Sequence, residues 1–273
     1  MRRARTAVSA AGLGGEPSRL AYELRAALAP GPGVLLLHGL GGSRADWALQ
    51  VPVLAPRFPV VLVDLPGHGA SPRLPGRTSI ERMAAAVRAV LDDLDLGRVH
   101  VVGLSLGGAV GLALALEAPA RVRSLTLVNA VARLAPPGPA GALRWLARAA
   151  LLAGAPMERV AAHVARGLFP RPDQQDLRRQ AIARLAATPR AAYVAALRAL
   201  AAFDARARLA AVTCPTLVVA GREDRTLSLA AKARLVAGLP RARFVILPGS
   251  GHATPLDCPA RFNAALLDFL TAH

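Results

Sequence analysis

The 273-residue chain has little cysteine, few aromatic side chains and almost no lysine. Each shortage removes a class of protein. Two cysteines, Cys214 and Cys258, cannot form a disulfide framework, so both are read as free thiols. With aromatics at 4%, there is no platform on which bases could stack, and the formal charge of +17 is not read as a nucleic-acid surface. Lys232 is the one lysine among 34 basic residues. The arginines are scattered through an alanine-rich chain, as GC-rich codon usage produces whatever the function. No uninterrupted apolar run reaches roughly 18 residues, so no membrane span is expected. The N-terminal stretch MRRARTAVSAAGLGGEP begins basic like a signal peptide, but its weak apolar part is soon broken by glycine. This reading places the chain in the cytoplasm. No histidine cluster has metal-ligand spacing, so neither metal nor cofactor is expected. Oligomeric state leaves no mark in the sequence.

Apolar residues make up 53% of the chain, enough for a large core. They recur in short runs: VLLL (34–37), VVLVD (60–64), VHVVG (99–103), LTLVN (125–129), TLVVAG (216–221) and RFVIL (243–247). Most lack polar alternation, which is how a strand covered on both faces reads. Helical patterns fill several gaps. Over 78–95, Thr78 and Glu81 have capping-box spacing, and Ile80, Met83, Ala84, Val87, Val90, Leu91 and Leu94 follow a helical stripe. The C-terminal PARFNAALLDFL opens with a proline suited to a first turn. Alternating strands and helices predict an α/β fold: a mostly parallel central sheet with helices on both faces.

The alternation stops at 133–212, a stretch rich in Ala and Arg that prolines divide into three or four helices. The economical reading is a helical cap (133–212) inserted into one α/β core (1–132 and 213–273). The cap carries thirteen arginines against Glu158, Asp173, Asp176 and Asp204, a formal charge of +9. Charged side chains mostly stay in solvent, so outer helix faces are their expected place. Any that turned inward would favour a substrate with a carboxylate or phosphate away from the bond that breaks.

Ser105 sits in Gly103-Leu104-Ser105-Leu106-Gly107, between a predicted strand and a predicted helix. That is the G-x-S-x-G pattern. The strand must turn sharply into the helix, the serine takes a strained conformation, and positions two before and two after must be nearly free of side chain. A serine hydroxyl needs a general base, and the base an orienting acid. Of six histidines, only His252, in LPGSGHATPLD, lies in a loop past a late strand, where the carboxyl edge of a parallel sheet gathers active-site residues. Glu223 and Asp224 lie just beyond the strand at 216–221 and are the candidates for the acid. Trp47 reads as core or pocket wall, and Asp64 and His68 as loop architecture.

Five segments in this order resemble the α/β-hydrolase superfamily, in its capped esterase and lactonase branch. LLLHGLGGSRADW resembles the oxyanion-hole segment, DLPGHGAS the loop after the following strand, and GLSLGGAV the nucleophile elbow. CPTLVVAGRED resembles the acid segment and LPGSGHATPLDCPARFNAALLDFL the histidine loop and final helix. REDRTLS departs from the pattern in lacking the proline often found after the acid, and Asp257 stands where glutamate is common. The cap has no recognised motif. The resemblance selects Asp224 as the acid and implies a triad of Ser105, Asp224 and His252. It also implies oxyanion donors at the Leu40 and Leu106 backbone N–H groups, with Gly39, Gly103 and Gly107 supporting and His38 shaping the oxyanion loop through a hydrogen bond.

The chemistry so implied is hydrolysis of a small-molecule carboxylic ester, lactone or thioester through an acyl-enzyme on Ser105. The alternatives are other triad reactions on this fold, namely carbon–carbon bond hydrolysis, perhydrolysis or a lyase reaction, and a non-catalytic small-molecule receptor. Leu104 counts against the carbon–carbon hydrolases, whose elbow usually carries asparagine there.

Overall fold

A computed structural model describes residues 20–27, 31–135 and 138–273. The N-terminal stretch weighed above as a signal peptide lies outside these residues, as do Pro136 and Pro137. The strands are β1 (Tyr22–Arg25), β2 (Val34–Leu37), β3 (Val60–Val63), β4 (Val99–Leu104), β5 (Val122–Val128), β6 (Thr216–Gly221) and β7 (Ala242–Leu247). They form one sheet in the order β1-β3-β2-β4-β5-β6-β7. All neighbours pair in parallel except β1, which runs antiparallel to β3 at one edge. The helices are α1 (Val51–Leu54), α2 (Ile80–Asp93), α3 (Leu106–Glu117), α4 (Gly138–Gly154), α5 (Met157–Leu168), α6 (Gln175–Ala187), α7 (Arg190–Ala202), α8 (Leu229–Gly238), α9 (Thr254–Asp257) and α10 (Pro259–Thr271).

The six apolar runs are β2 to β7, and their lack of polar alternation has a direct cause. Successive side chains of a strand point to opposite faces, and here both faces are covered. Leu35 and Leu37 pack with α2, α3 and α8, whereas Val34 and Leu36 pack with Trp47, Leu54 and α10. Trp47 is therefore core; it is fully buried near Phe262. Two local readings need correction. The cap of α2 is Ser79, whose hydroxyl accepts from the Arg82 N–H, and not Thr78. Strand β1 was not anticipated, because the half-buried Tyr-Glu-Leu-Arg of an edge strand has no apolar run to announce it.

Between β5 and β6 the chain runs through α4 to α7. Its two ends are tied together where Arg133 and Asp204 form an isolated bridge and the Ala205 N–H donates to the Ala132 carbonyl at 2.9 Å. A small apolar cluster of Val160, Ala165, Phe169, Leu185 and Tyr193 holds these helices together and includes Ala253, beside His252.

Candidate active site

Ser105 stands where β4 becomes α3. Its N–H donates to the Val128 carbonyl at 2.9 Å, still part of the sheet, while its carbonyl accepts from the Ala109 N–H at 3.0 Å, already part of the helix. One residue serving both elements must bend sharply, and Ser105 does so at φ 51°, ψ −106°. The flanking glycines follow from that bend. A Cβ on Gly103 would fall on the Gly107 carbonyl, and one on Gly107 would fall on the Leu37 carbonyl.

Asp224 and His252 come together from the loops after β6 and β7. The His252 Nδ1–H donates to Asp224 Oδ2 at 2.8 Å. Asp224 Oδ1 accepts from the Thr226 and Leu227 N–H groups at 2.7 and 3.1 Å, so the carboxylate is fixed at both oxygens. Burial acts to raise this carboxyl, but His252 and Lys232 outweigh it and hold Asp224 below the usual carboxylate range. Glu223 points elsewhere: it is half exposed and accepts from the Gly249 N–H. Asp257, the departure from the family pattern, secures the histidine loop by accepting from the Gly251 N–H at 2.6 Å and the Ser250 hydroxyl at 2.7 Å.

The loop after β2 is built around one peptide. Gly39 to Gly42 form a turn, closed by Gly42 N–H to Gly39 carbonyl at 3.0 Å, with Gly41 at φ 74° in its third position, where glycine is at ease. The Gly39 carbonyl also accepts from His38 Nδ1–H at 2.7 Å. In a trans peptide C=O and N–H point opposite ways, so pinning the Gly39 oxygen also aims the Leu40 N–H. His38 does this as a neutral ring. Its Nε2 accepts from the Leu65 N–H at 2.9 Å, and burial pushes its pKa down to about 4. Leu106 is the first residue of α3, so its N–H has no partner within the helix. Asp64 and His68 lie behind this loop. Asp64 accepts from the Arg44 and Ala70 N–H groups, and His68 is fully buried 5.3 Å from His38.

Lys232 and Asn129 were missed. Lys232, on α8, is fully buried and places Nζ 2.6 Å from Asp224 Oδ2 and 2.7 Å from Asn129 Oδ1. Asn129, just past β5 at φ 44°, donates through Nδ2 to the His252 carbonyl and Thr254 Oγ1, each at 2.7 Å, and accepts from the Gly221 N–H at 2.8 Å. Lys232 falls within LAAKARLVAG, where a cation reads as an exposed helix face. The one available signal is its uniqueness: a chain that otherwise writes every cation as arginine keeps a single lysine.

Ser105, Leu40 and His252 line one cavity of about 150 Å³ together with residues of α4 to α7. Its wall is mainly apolar, with Leu134, Val164, Phe169, Leu185 and Leu197 among the lining residues. Three of the thirteen arginines of 133–212, Arg144, Arg148 and Arg184, also line it, joined by Arg225. Arg184 is paired with Asp46 at 2.9 Å, and Arg144 donates to the Arg225 carbonyl at 2.8 Å. Arg148 stands beside the buried Tyr193 hydroxyl. Burial pushes the Tyr193 phenol up, against the opposing pull of Arg148. Among the described residues, no group of three or more His, Cys, Asp or Glu could hold a metal ion, and no helix is long and apolar enough to cross a membrane.

Comparison with known proteins agrees with this architecture. The family model for the alpha/beta hydrolase fold matches residues 32–259. A protein named "Putative carbamate hydrolase RutD" from Variovorax paradoxus is 40% identical over 250 residues, spanning 89% of this chain and 92% of its own. The crystal structure of a hydrolase from Pseudomonas aeruginosa matches with a TM-score of 0.83 at 35% identity, covering 92% of this chain and 94% of that one. The enol-lactonase of Burkholderia xenovorans matches with a TM-score of 0.85 at 27% identity, covering 92% and 96%.

Proposed function

The chain belongs to the α/β-hydrolase family, and from that premise we propose that it is a serine hydrolase acting on a small-molecule carbonyl compound through an acyl-enzyme on Ser105. The observation that carries the proposal is the His252–Asp224 hydrogen bond at 2.8 Å beside a cavity lined by both His252 and Ser105. Asp224 accepts from Nδ1–H, which leaves Nε2 of the neutral ring as the base. Ser105 Oγ attacks the carbonyl and gives its proton to Nε2. The tetrahedral oxyanion is received by the Leu106 and Leu40 N–H groups, and His252 returns the proton to the leaving group. Water then repeats the sequence on the acyl-serine. A donor of the oxyanion type is worth about 3–4 kcal/mol of barrier.

The α4–α7 insertion acts as a cap that encloses the acyl or leaving group. Ester, lactone and thioester substrates fit this scheme. The name of the Variovorax paradoxus relative adds carbamates, whose carbonyl is open to the same attack. Arg148 sets a cation beside the Tyr193 hydroxyl at an apolar wall, which supports a substrate carrying a carboxylate remote from the scissile bond.

The test is intact mass after fluorophosphonate treatment, followed by turnover of an ester, a lactone, a thioester and a carbamate. One covalent adduct is expected, absent from Ser105→Ala, with turnover reduced by about four to six orders of magnitude in that variant. Labelling that persists in Ser105→Ala would remove Ser105 as nucleophile. For the carboxylate, the measurement is the ratio of kcat/KM for an ω-carboxylated 4-nitrophenyl ester to that for its neutral isostere. The ratio should fall about tenfold in Arg148→Met and with added salt. An unchanged ratio would return Arg148 to the class of surface cations.

A further inference from the structure

We propose that Lys232 is a positioning residue for the triad: it holds Asp224 and the His252 loop in register and keeps a fixed positive charge behind the acid. The proposal rests on the reading of Asp224 and His252 as acid and base. Its geometric part is a chain of bonds across three strand ends. Lys232 Nζ joins Asp224 Oδ2, past β6, to Asn129 Oδ1, past β5. Asn129 carries the link onward from Nδ2 to the His252 carbonyl. Nζ and the Gly221 N–H both donate to Asn129 Oδ1, so the amide cannot flip, and Nδ2 is left facing the histidine loop.

The charge has a separate consequence. A buried ion pair returns little net stability, because both ions must be taken out of water. The ion pair is therefore better explained by its effect on Asp224 than by stability. Asp224 Oδ2 is shared between His252 Nδ1–H and Lys232 Nζ, so the ammonium offsets the carboxylate's charge at the oxygen that faces the imidazole. Burial draws the Lys232 ammonium below its ordinary value against the pull of Asp224. The other charged groups on this side are Asp257, whose carboxylate is bonded within the same loop, Arg171, which acts on Asp257, and Arg144, Arg148, Arg184 and Arg225, which line the same cavity. None is hydrogen-bonded to the ring among the described residues. Arginine would keep the charge but not the geometry, since its planar fork cannot place one compact charge between two oxygens.

The test follows protonation of the His252 ring in two ways. One is an NMR titration of its ring protons in Ser105→Ala. The other is the pH dependence of fluorophosphonate labelling with Ser105 intact. Lys232→Gln keeps a hydrogen-bond donor and removes the charge, and Lys232→Arg keeps the charge. We expect the protonation midpoint of Lys232→Gln to move up by about one pH unit in both measurements, and that of Lys232→Arg to move less than half as far. A folded Lys232→Gln with reduced labelling but an unmoved midpoint would leave Lys232 a purely structural residue and overturn the proposal. Should Lys232→Gln fail to fold, Asn129→Asp sets an opposing charge against Nζ and must shift the midpoint in the same direction; no shift there overturns the proposal equally. A wild-type protein that takes no label, with the NMR midpoint still shifted by Lys232→Gln, would sink the serine-nucleophile reading and leave the Lys232 assignment standing.

Discussion

Ser105 holds a backbone conformation that L-residues rarely adopt, and it does so because one residue closes a sheet bond and opens a helix. Such geometry costs about 1–3 kcal/mol. The hydroxyl and the strain are separable by substitution. Ser105→Ala removes the hydroxyl and keeps the strained Cβ, whereas Ser105→Gly removes both. In urea denaturation the Gly variant should be more stable than the Ala variant by about 1 kcal/mol, although glycine elsewhere is the less stable choice. The opposite order would mean that the bend stores no strain. At this scale the sequence announces residues whose motif is local. Gly103, Ser105 and Gly107 declare one another by spacing, and His252 stands out by its place after a late strand. Asn129 meets Lys232 and the His252 loop more than a hundred residues away, and no spacing records that.

Helix α3 is buried on nearly every side, and so its sequence LGGAVGLALALE has no polar stripe. Its glycine face lets it lie against the sheet, with Gly107 over the Leu37 carbonyl and Gly111 against Val101 and Leu125. Gly107→Ala would force the helix off backbone atoms that cannot yield, and should cost about 3 kcal/mol or more as well as displacing Ser105. Gly167, in α5, meets nothing within 4 Å of a Cβ placed there. Gly167→Ala should stabilise by about 0.5–1 kcal/mol through helix propensity and a stiffer unfolded chain. Urea midpoints of the two variants should move in opposite directions, and a loss in both would mean that the α5 position is crowded. Elements legible in the sequence were those with both faces buried or one clean stripe, β2 to β7 and α2 among them. Strand β1 was not, because its partner β3 decides its existence and its own residues are half exposed.

Over the whole molecule, three imidazoles are sealed in as neutral rings. Burial lowers His38, His68 and His100 to a pKa of about 4 each. In the unfolded chain they titrate near 6.5, so between about pH 6.5 and 4 unfolding takes up protons that the folded state refuses. The resulting stability is intact above that window and drains away as pH falls through it, by a few kcal/mol per ring. Asp224, held low, adds a loss that begins only below about pH 4. Urea midpoints at pH 7, 5.5 and 4.5 should fall in that order, and a flat series would mean that these rings protonate in place. A different consequence follows from Lys232, the only lysine and fully buried. Its buried amine is withheld from acylating reagents in the native fold. An acyl group that does arrive on Lys232 marks a moment when β5, β6 and α8 part, so timed acylation of Lys232, read by peptide mass, counts the openings of this edge of the sheet.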